Sequence, residues 1–342
     1  MKQLEPHAHQ LVARDFLAAR PHALLGDDPG LEKTLSLILA CEAVDAQNVL
    51  VTCPASVRTN WYEHFEMRRG HTRGVDVLSY NAAGAEKWRA GLRDKYDAWL
   101  GDEIHFCKRL ESQRTQAIFG NAHGLARSAH FKWAATGTWA PNHRPVELYP
   151  VLKFMHPHFR GMKFEEYARL YCGAFWDGRG LNVKGATRLA ELERLLQGFM
   201  LRRTEAEVYP DRKQPLVHKI PVELSKAELS AVNAEEDVIG GRTMRISSRF
   251  DDFSQLGDTA KLLRLLGLAK VARVAAFVDD LLQTADKIVV FAHHVDVIDR
   301  LAEHFANQGI GHTIYRGGMS DDHKAANVKQ RRGGPSNDSL PP

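Results

Sequence analysis

Helix-spaced apolar positions and short continuous apolar runs alternate along the chain. Gln10 to Ala19 sets Leu11, Phe16 and Leu17 on a helical spacing. Ala23-Leu24-Leu25 is a short apolar run that ends in a tight Asp/Pro/Gly turn. The turn opens into Leu35-Ser36-Leu37-Ile38-Leu39-Ala40, long enough for a buried helix. Asn48-Val49-Leu50-Val51-Thr52-Cys53 is a β-branched run stopped by Pro54, which predicts a buried strand. Val75 to Tyr80 predicts another strand, and two more are predicted to end at Asp102 and at Thr136. A polar stretch from Gln214 to about Thr259 contains the turn-prone Gly240-Gly241. Helical spacing then returns over Lys261 to Leu282 through Leu265, Leu268, Val271, Val274, Val278 and Leu281. Lys287-Ile288-Val289-Val290-Phe291 has the unbroken apolar character of a buried parallel strand. Asp296 to Gln308 places Ile298, Leu301 and Phe305 on one side of a helix that Gly309 should stop, and His312-Thr313-Ile314-Tyr315 predicts a further strand.

Composition adds bounds. With 342 residues, 44% hydrophobic and 26% charged, the chain can bury a sizeable core and divides most naturally into two domains. A net charge of +4 is compatible with a nucleic-acid partner and equally with a slightly basic soluble enzyme. The cysteines Cys41, Cys53, Cys107 and Cys172 form no C-x-x-C pair, so neither a zinc site nor a disulfide framework is indicated. His293-His294 lacks metal-ligand spacing. With no apolar signal region and no run of membrane-spanning length, the expected setting is reducing and cytoplasmic.

Three stretches carry candidate chemistry. The first is Leu24-Leu25-Gly26-Asp27-Asp28-Pro29-Gly30-Leu31-Glu32-Lys33-Thr34, set between a strand and a helix as a phosphate-binding loop would be. Backbone N–H groups curling into an anion nest, backed by a helix N-terminus, attract phosphate. Lys33 would reach the β- and γ-phosphates and Thr34 would hold Mg²⁺ through its hydroxyl. Glu32 stands where such loops carry glycine, and a carboxylate there should weaken nucleotide affinity. The same residues also fit an ordinary strand-to-helix turn. The second stretch is Gly101-Asp102-Glu103-Ile104-His105, an acidic pair at a strand end. There Asp102 would sit in the outer shell of Mg²⁺ and Glu103 would orient or deprotonate the attacking water. The third, Thr136-Gly137-Thr138, sets two hydroxyls around a glycine, which fits either a relay to a bound strand or a plain β-turn. Upstream, Gln10 could read an adenine edge. Pro54 to Trp61, with Ala55, Arg58 and Trp61, could hold the phosphates of a strand, while Ser56 could equally cap a helix.

Taken in order, Gln10, Asp27–Thr34, Cys53-Pro54-Ala55, Asp102-Glu103-Ile104-His105 and Thr136-Gly137-Thr138 resemble the motifs of superfamily-two helicases. Within these, the chain is similar to the Swi/Snf-type DNA-translocating ATPases, bacterial, phage and annealing-helicase members in particular. Arg144-Pro145-Val146-Glu147-Leu148-Tyr149 and Leu201-Arg202-Arg203-Thr204 strengthen the likeness, which runs from about Leu4 to about Gln330. The resemblance implies an α/β fold: a RecA-like parallel-sheet lobe with a helical protrusion, then an incomplete second RecA-like lobe. Residues 1–213 would form the ATP-binding lobe, with the protrusion at about 149–200. Residues 214–259 would be linker and hinge, 260–330 a partial second lobe including Gly317-Gly318-Met319-Ser320, and 331–342 a disordered tail. It further implies ATP hydrolysis with Mg²⁺, sequence-independent action on double-stranded DNA, and a DNA-associated location. Asp27, Asp28, Pro29, Gly30, Leu31, Glu32, Lys33, Thr34, Gln10 and His105 would line the nucleotide. Pro54, Ala55, Arg58, Trp61 and Thr136–Thr138 would face DNA.

The arginine-finger segment that such proteins carry has no counterpart before the tail, which leaves two readings open: a truncated gene, or a chain completed by a protein partner. The competing functional class is a catalytically silent DNA-binding or partner-binding remnant.

Overall fold

The computed structural model describes residues 5–68, 74–84, 96–120, 124–138, 144–178, 180–213, 215–227, 253–319, 323 and 326–327. The chain forms two compact units, Met1–Gln214 and Pro215–Pro342. The expected tail, the turn at Gly240-Gly241 and Ser320 lie outside the described residues, as does most of the expected linker.

The first unit is built on a parallel sheet. Its strands are β1 (His22–Leu25), β2 (Asn48–Cys53), β3 (Gly74–Ser79), β4 (Ala98–Asp102), β5 (Phe131–Ala135) and a short strand at Met200–Leu201. The order across the sheet is β3-β2-β4-β5-β1 with Met200–Leu201 beyond β1, every pairing parallel. The pleat sorts the side chains of β2 between two cores. Val49, Val51 and Cys53 face one, and Leu50 faces the other. On the first face lie α1 (Ala8–Ala18), α2 (Lys33–Ala43) and α3 (Arg58–Met67), which contribute Leu17, Ile38 and Trp61.

The opposite face is covered by later segments: α4 (Tyr80–Ala83), α5 (Gln113–Phe119), α6 (Tyr149–Met155), α7 (Phe164–Tyr171) and α8 (Leu189–Leu196). Tyr149, Leu152, Tyr167 and Leu192 share one cluster with Leu50 and Trp99 of the sheet. Aromatic side chains of the 149–200 segment bury against this sheet face. What projects is a two-stranded hairpin, β6 (Phe175–Trp176) with β7 (Leu181–Asn182), where Trp176 is 72% exposed. The strand at Met200–Leu201, β8, was not legible in the sequence; two residues carry no periodicity. After it comes α9 (Glu205–Val208), whose N-cap Thr204 accepts the Glu207 N–H. The cap expected at Ser56 is absent: Ala55–Val57 form a 3₁₀ turn and Val57 precedes α3 without a side-chain cap.

In the second unit α10 (Phe253–Leu281) packs on α11 (Val295–Asn307) through Val271, Val274, Ala275 and Val278 against Val297, Leu301 and Phe305. Both helices were expected, and the i, i+4, i+8 stripe of α11 falls on Val297 rather than Ile298. Lys287–Phe291 and His312–Tyr315 are not strands. A parallel strand exists only through a ladder with neighbours, and the described residues supply none here. Phe291 is accordingly 91% exposed. Among the described residues, no helix is long and apolar enough to cross a membrane.

Candidate functional site

Strands β1, β2, β4 and β5 deliver the sequence-predicted residues at their carboxyl ends, the edge at which open parallel sheets bind ligands. After β1 the chain turns through Gly26–Glu32 into α2. Gly30 has φ +89°, and Glu32 has φ 49° and ψ 52°, so a non-glycine residue holds a glycine-like, left-handed backbone immediately before Lys33. Such a conformation costs roughly 1–2 kcal/mol in an L-residue. Glu32 is tethered from α1: Gln10 Nε2 donates to its carboxylate Oε2 at 3.2 Å and to its carbonyl at 3.4 Å. Gln10 itself is buried, and its Oε1 accepts the His7 N–H at 2.8 Å. Its amide is thus hydrogen-bonded within the protein at both ends.

Lys33 Nζ folds over the loop and donates to the carbonyls of Asp27 at 2.9 Å and Asp28 at 3.1 Å. Burial lowers the pKa of its ammonium, against the attraction of Glu103, Asp27, Asp102 and Asp28. Thr34, the second residue of α2, is half-buried. Two carboxylates of the loop are held by the chain that follows β8. Buried Asp27 accepts Nε of Arg203 at 3.1 Å and the Arg203 backbone N–H at 3.0 Å, and Asp28 accepts the Glu205 N–H at 3.2 Å. Asp27 and Asp28 therefore lock the loop to the Arg203–Glu205 segment. Leu31 is buried, and its carbonyl lies 3.2 Å from His9 Nε2.

The acidic pair at the end of β4 is held asymmetrically. Asp102 is buried, and its Oδ2 accepts the Trp61 indole N–H at 2.9 Å. Burial pushes its carboxyl above the usual range, with the Trp61 bond opposing. Glu103, at φ 49°, turns its carboxylate the other way: Thr136 Oγ1 donates to Oε2 at 3.3 Å, and His105 Nδ1 lies 3.1 Å from the same oxygen. Burial works to raise the Glu103 pKa, but the His105 bond, the charges of His105 and Lys33, and the Thr136 bond together hold it below its ordinary value. Two adjacent carboxyls are thus driven in opposite directions, the arrangement that separates acid and base roles. Gly101, just before them, makes room for the Trp99 ring: a Cβ would lie 2.6 Å from a ring carbon.

Thr136 binds the third motif to the second. Its hydroxyl pairs with His105 Nδ1 at 2.9 Å and accepts the Thr138 N–H at 3.1 Å. Gly137 touches the loop itself, since a Cβ there would fall 2.9 Å from Pro29 Cγ and 3.2 Å from Pro29 N. Of the residues expected to face DNA, Pro54 and Arg58 are half-buried and Ala55 is exposed at the end of β2, with Arg58 Nε donating to the Val77 carbonyl at 3.3 Å. Trp61 departs from that expectation. It is fully buried and orients Asp102, so it offers no face to a strand. Sequence reading missed Arg203 as the partner of Asp27 and His9 as a support of the loop. The Leu201–Thr204 motif was the one available signal for Arg203.

No protein-family model matches the chain. An alignment of 321 positions that covers 87% of the chain is 26% identical to the SWI/SNF-related matrix-associated actin-dependent regulator of chromatin subfamily A-like protein 1 of Xenopus tropicalis. A second, of 308 positions covering 82% of the chain, is 27% identical to the DNA annealing helicase and endonuclease ZRANB3 of Mus musculus. The chain is similar to these Swi/Snf-type proteins. It spans 32% and 28% of those two proteins. The solved Swi2/Snf2 ATPase core of Sulfolobus solfataricus in complex with dsDNA has the same fold, with a TM-score of 0.51 and 16% identity over 98% of this chain and 79% of that one. The α/β, RecA-like architecture expected of a Swi/Snf-type chain is therefore the observed one.

Proposed function

We propose that this Swi/Snf-type chain binds ATP with Mg²⁺ at the carboxyl edge of its sheet and uses it to move along double-stranded DNA. The observation that carries the reading is the convergence of three strand ends: the Lys33 ammonium lies within the electrostatic reach of both Asp102 and Glu103. Its carbonyl partners are weak ones that a phosphate oxygen can replace. The residues present fit the nucleotide. Lys33 supplies the cation, Thr34 the hydroxyl, α2 the helix N-terminus, and Glu32 keeps the backbone turn that glycine would otherwise make. Among the described residues no three His, Cys, Asp or Glu cluster as a metal cage, which suits an ion held by Thr34, Asp102, waters and phosphates.

ATP supplies the phosphoanhydride and Mg²⁺ neutralises charge on the transferred phosphoryl group. Glu103, its pKa held low, would orient or deprotonate the attacking water, and Asp102, fixed by the Trp61 indole N–H, would serve as the carboxylate on Mg²⁺. His105 and Thr136 couple Glu103 to Thr138, and so to the edge proposed to meet DNA with Pro54, Ala55 and Arg58.

Glu32 in the glycine position favours a second reading, a silent DNA-binding remnant. Titration of ATP–Mg²⁺ and of a short duplex against the same chain separates them. Nucleotide binding lost in Lys33→Ala, with duplex binding kept, supports the enzyme. Duplex binding without nucleotide binding overturns it in favour of the remnant.

A further inference from the structure

His22 opens β1 at the amino-terminal edge of the sheet, opposite the loop, and Lys132 is its register partner on β5. Paired residues of neighbouring strands stand on the same face. Lys132 is buried, and its ammonium donates to the Ala129 carbonyl. His22 Nδ1 lies 3.0 Å from the Met155 carbonyl, which brings the turn at 156–160 to the same place. Arg127 and Arg160 come near enough for their charges to press on Lys132, and Lys132, Arg160 and His130 press on His22. Burial holds both groups below their ordinary pKa values, and these cations add to it. Among the described residues no carboxylate pairs with any of the five. The Asp97 carboxylate, just before neighbouring β4, accepts the Gln47 and Asn48 N–H groups instead. Between Glu111 and Glu165 the sequence holds one acidic residue, Glu147, which pairs with Lys108 at 3.6 Å.

An ammonium buried among like charges is costly unless an anion joins it. Arg127, His130 and Arg160 are exposed around it, and a guanidinium fork matches phosphate. None of the large apolar side chains exposed among the described residues belongs to the turns at 126–132 and 156–160, so nothing there would enter a lipid surface. We infer that Arg127, Lys132 and Arg160, with His22 and His130, form a further phosphate-binding site, whose occupant is the backbone of a second duplex segment. β1 and β5 are four and five residues long, so roughly 15 Å of sheet separates this edge from the one bearing Arg58. The two edges face opposite ways, so a duplex on one leaves the other free. The choice of a duplex rests on the DNA part of the reading above.

The test is the stoichiometry and salt dependence with which the full chain binds a short fluorescent duplex. It compares the unmodified protein with Arg58→Ala, with Arg127→Gln plus Arg160→Gln, and with Arg127→Lys plus Arg160→Lys. The unmodified chain should take two duplexes. The glutamine pair should take one, with the summed salt slope smaller by about two, one for each phosphate contact removed. The lysine pair keeps the charge and should keep both duplexes. Arg58→Ala should weaken the duplex that the glutamine pair retains and leave the other in place. Inorganic phosphate at matched ionic strength should displace duplex no better than chloride does. Unchanged stoichiometry and salt slope in the glutamine pair would overturn the inference, as would failure of that pair to fold. Inorganic phosphate that binds the unmodified chain, is lost from the glutamine pair and displaces no duplex would also overturn it, in favour of a small-anion site. Duplex binding that depends on Arg58 alone keeps the DNA reading and sinks this inference. No duplex binding by the unmodified chain sinks both.

Discussion

Arg203 lies 176 residues beyond Asp27 and closes on its buried carboxylate as a fork, Nε at 3.1 Å from one oxygen and Nη2 at 2.5 Å from the other. A third nitrogen, Nη1, donates to the His9 carbonyl at 2.8 Å. One guanidinium therefore ties the loop to the start of α1 and to β8, and the loop's shape depends on chain that arrives much later.

Removing that fork leaves a buried charge unpaired. Arg203→Ala should destabilise the first unit by about 3–5 kcal/mol, and Asp27→Asn by less, since Arg203 keeps the His9 carbonyl. Urea unfolding of the chain, followed by tryptophan fluorescence, reads this directly.

Trp61→Phe should move a pKa rather than break the fold. The Asp102 carboxyl binds its proton more tightly folded than unfolded, so its contribution to stability falls as pH rises from the ordinary aspartate value through the raised one. Glu103 is the reverse: its contribution is in place above the unfolded value and is lost as pH falls through the lowered one. Without the indole N–H the Asp102 pKa should rise further, since that bond opposes burial. The acid limb of the pH–rate profile should shift to higher pH with it.

Gly137→Ala should push the loop from the other side. With Pro29 already 2.9 Å from the added Cβ, the expected cost is about 1–3 kcal/mol in stability or a comparable loss in nucleotide affinity. Thermal unfolding with and without ADP distinguishes the two.

Duplex binding should be sequence-independent and should weaken steeply as salt rises. Arg58→Ala should lower it and reduce the salt slope by about one, if Arg58 leaves the Val77 carbonyl for a phosphate. Fluorescence anisotropy over a salt series checks both.

The parts of the site that are contiguous in sequence were legible in advance. The Asp27–Thr34 loop, the Asp102-Glu103 pair and Thr136–Thr138 each sit at a predicted strand end, and β2 was bounded correctly at both ends. What escaped depends on partners far along the chain. Trp61 is 41 residues from Asp102, so an aromatic near Arg58 read as a surface for a strand when it was core. Lys287–Phe291 was misread for the converse reason. An apolar run specifies a wish for burial, but a strand needs neighbours, and none stands beside it among the described residues. Glu32 is the instructive middle case. The sequence showed the missing glycine, and only the structure showed the left-handed backbone kept in its place.

The most direct measurement is ATP turnover, with and without duplex DNA, by the unmodified chain, Lys33→Ala and Glu103→Gln. The expected result is ATP–Mg²⁺ binding and duplex-stimulated hydrolysis by the unmodified chain, and loss of binding in Lys33→Ala. Glu103→Gln should keep its binding with turnover lower by about 10²–10⁴, the scale of general acid–base catalysis. Turnover indifferent to both substitutions, or no ATP binding by the unmodified chain, would contradict it.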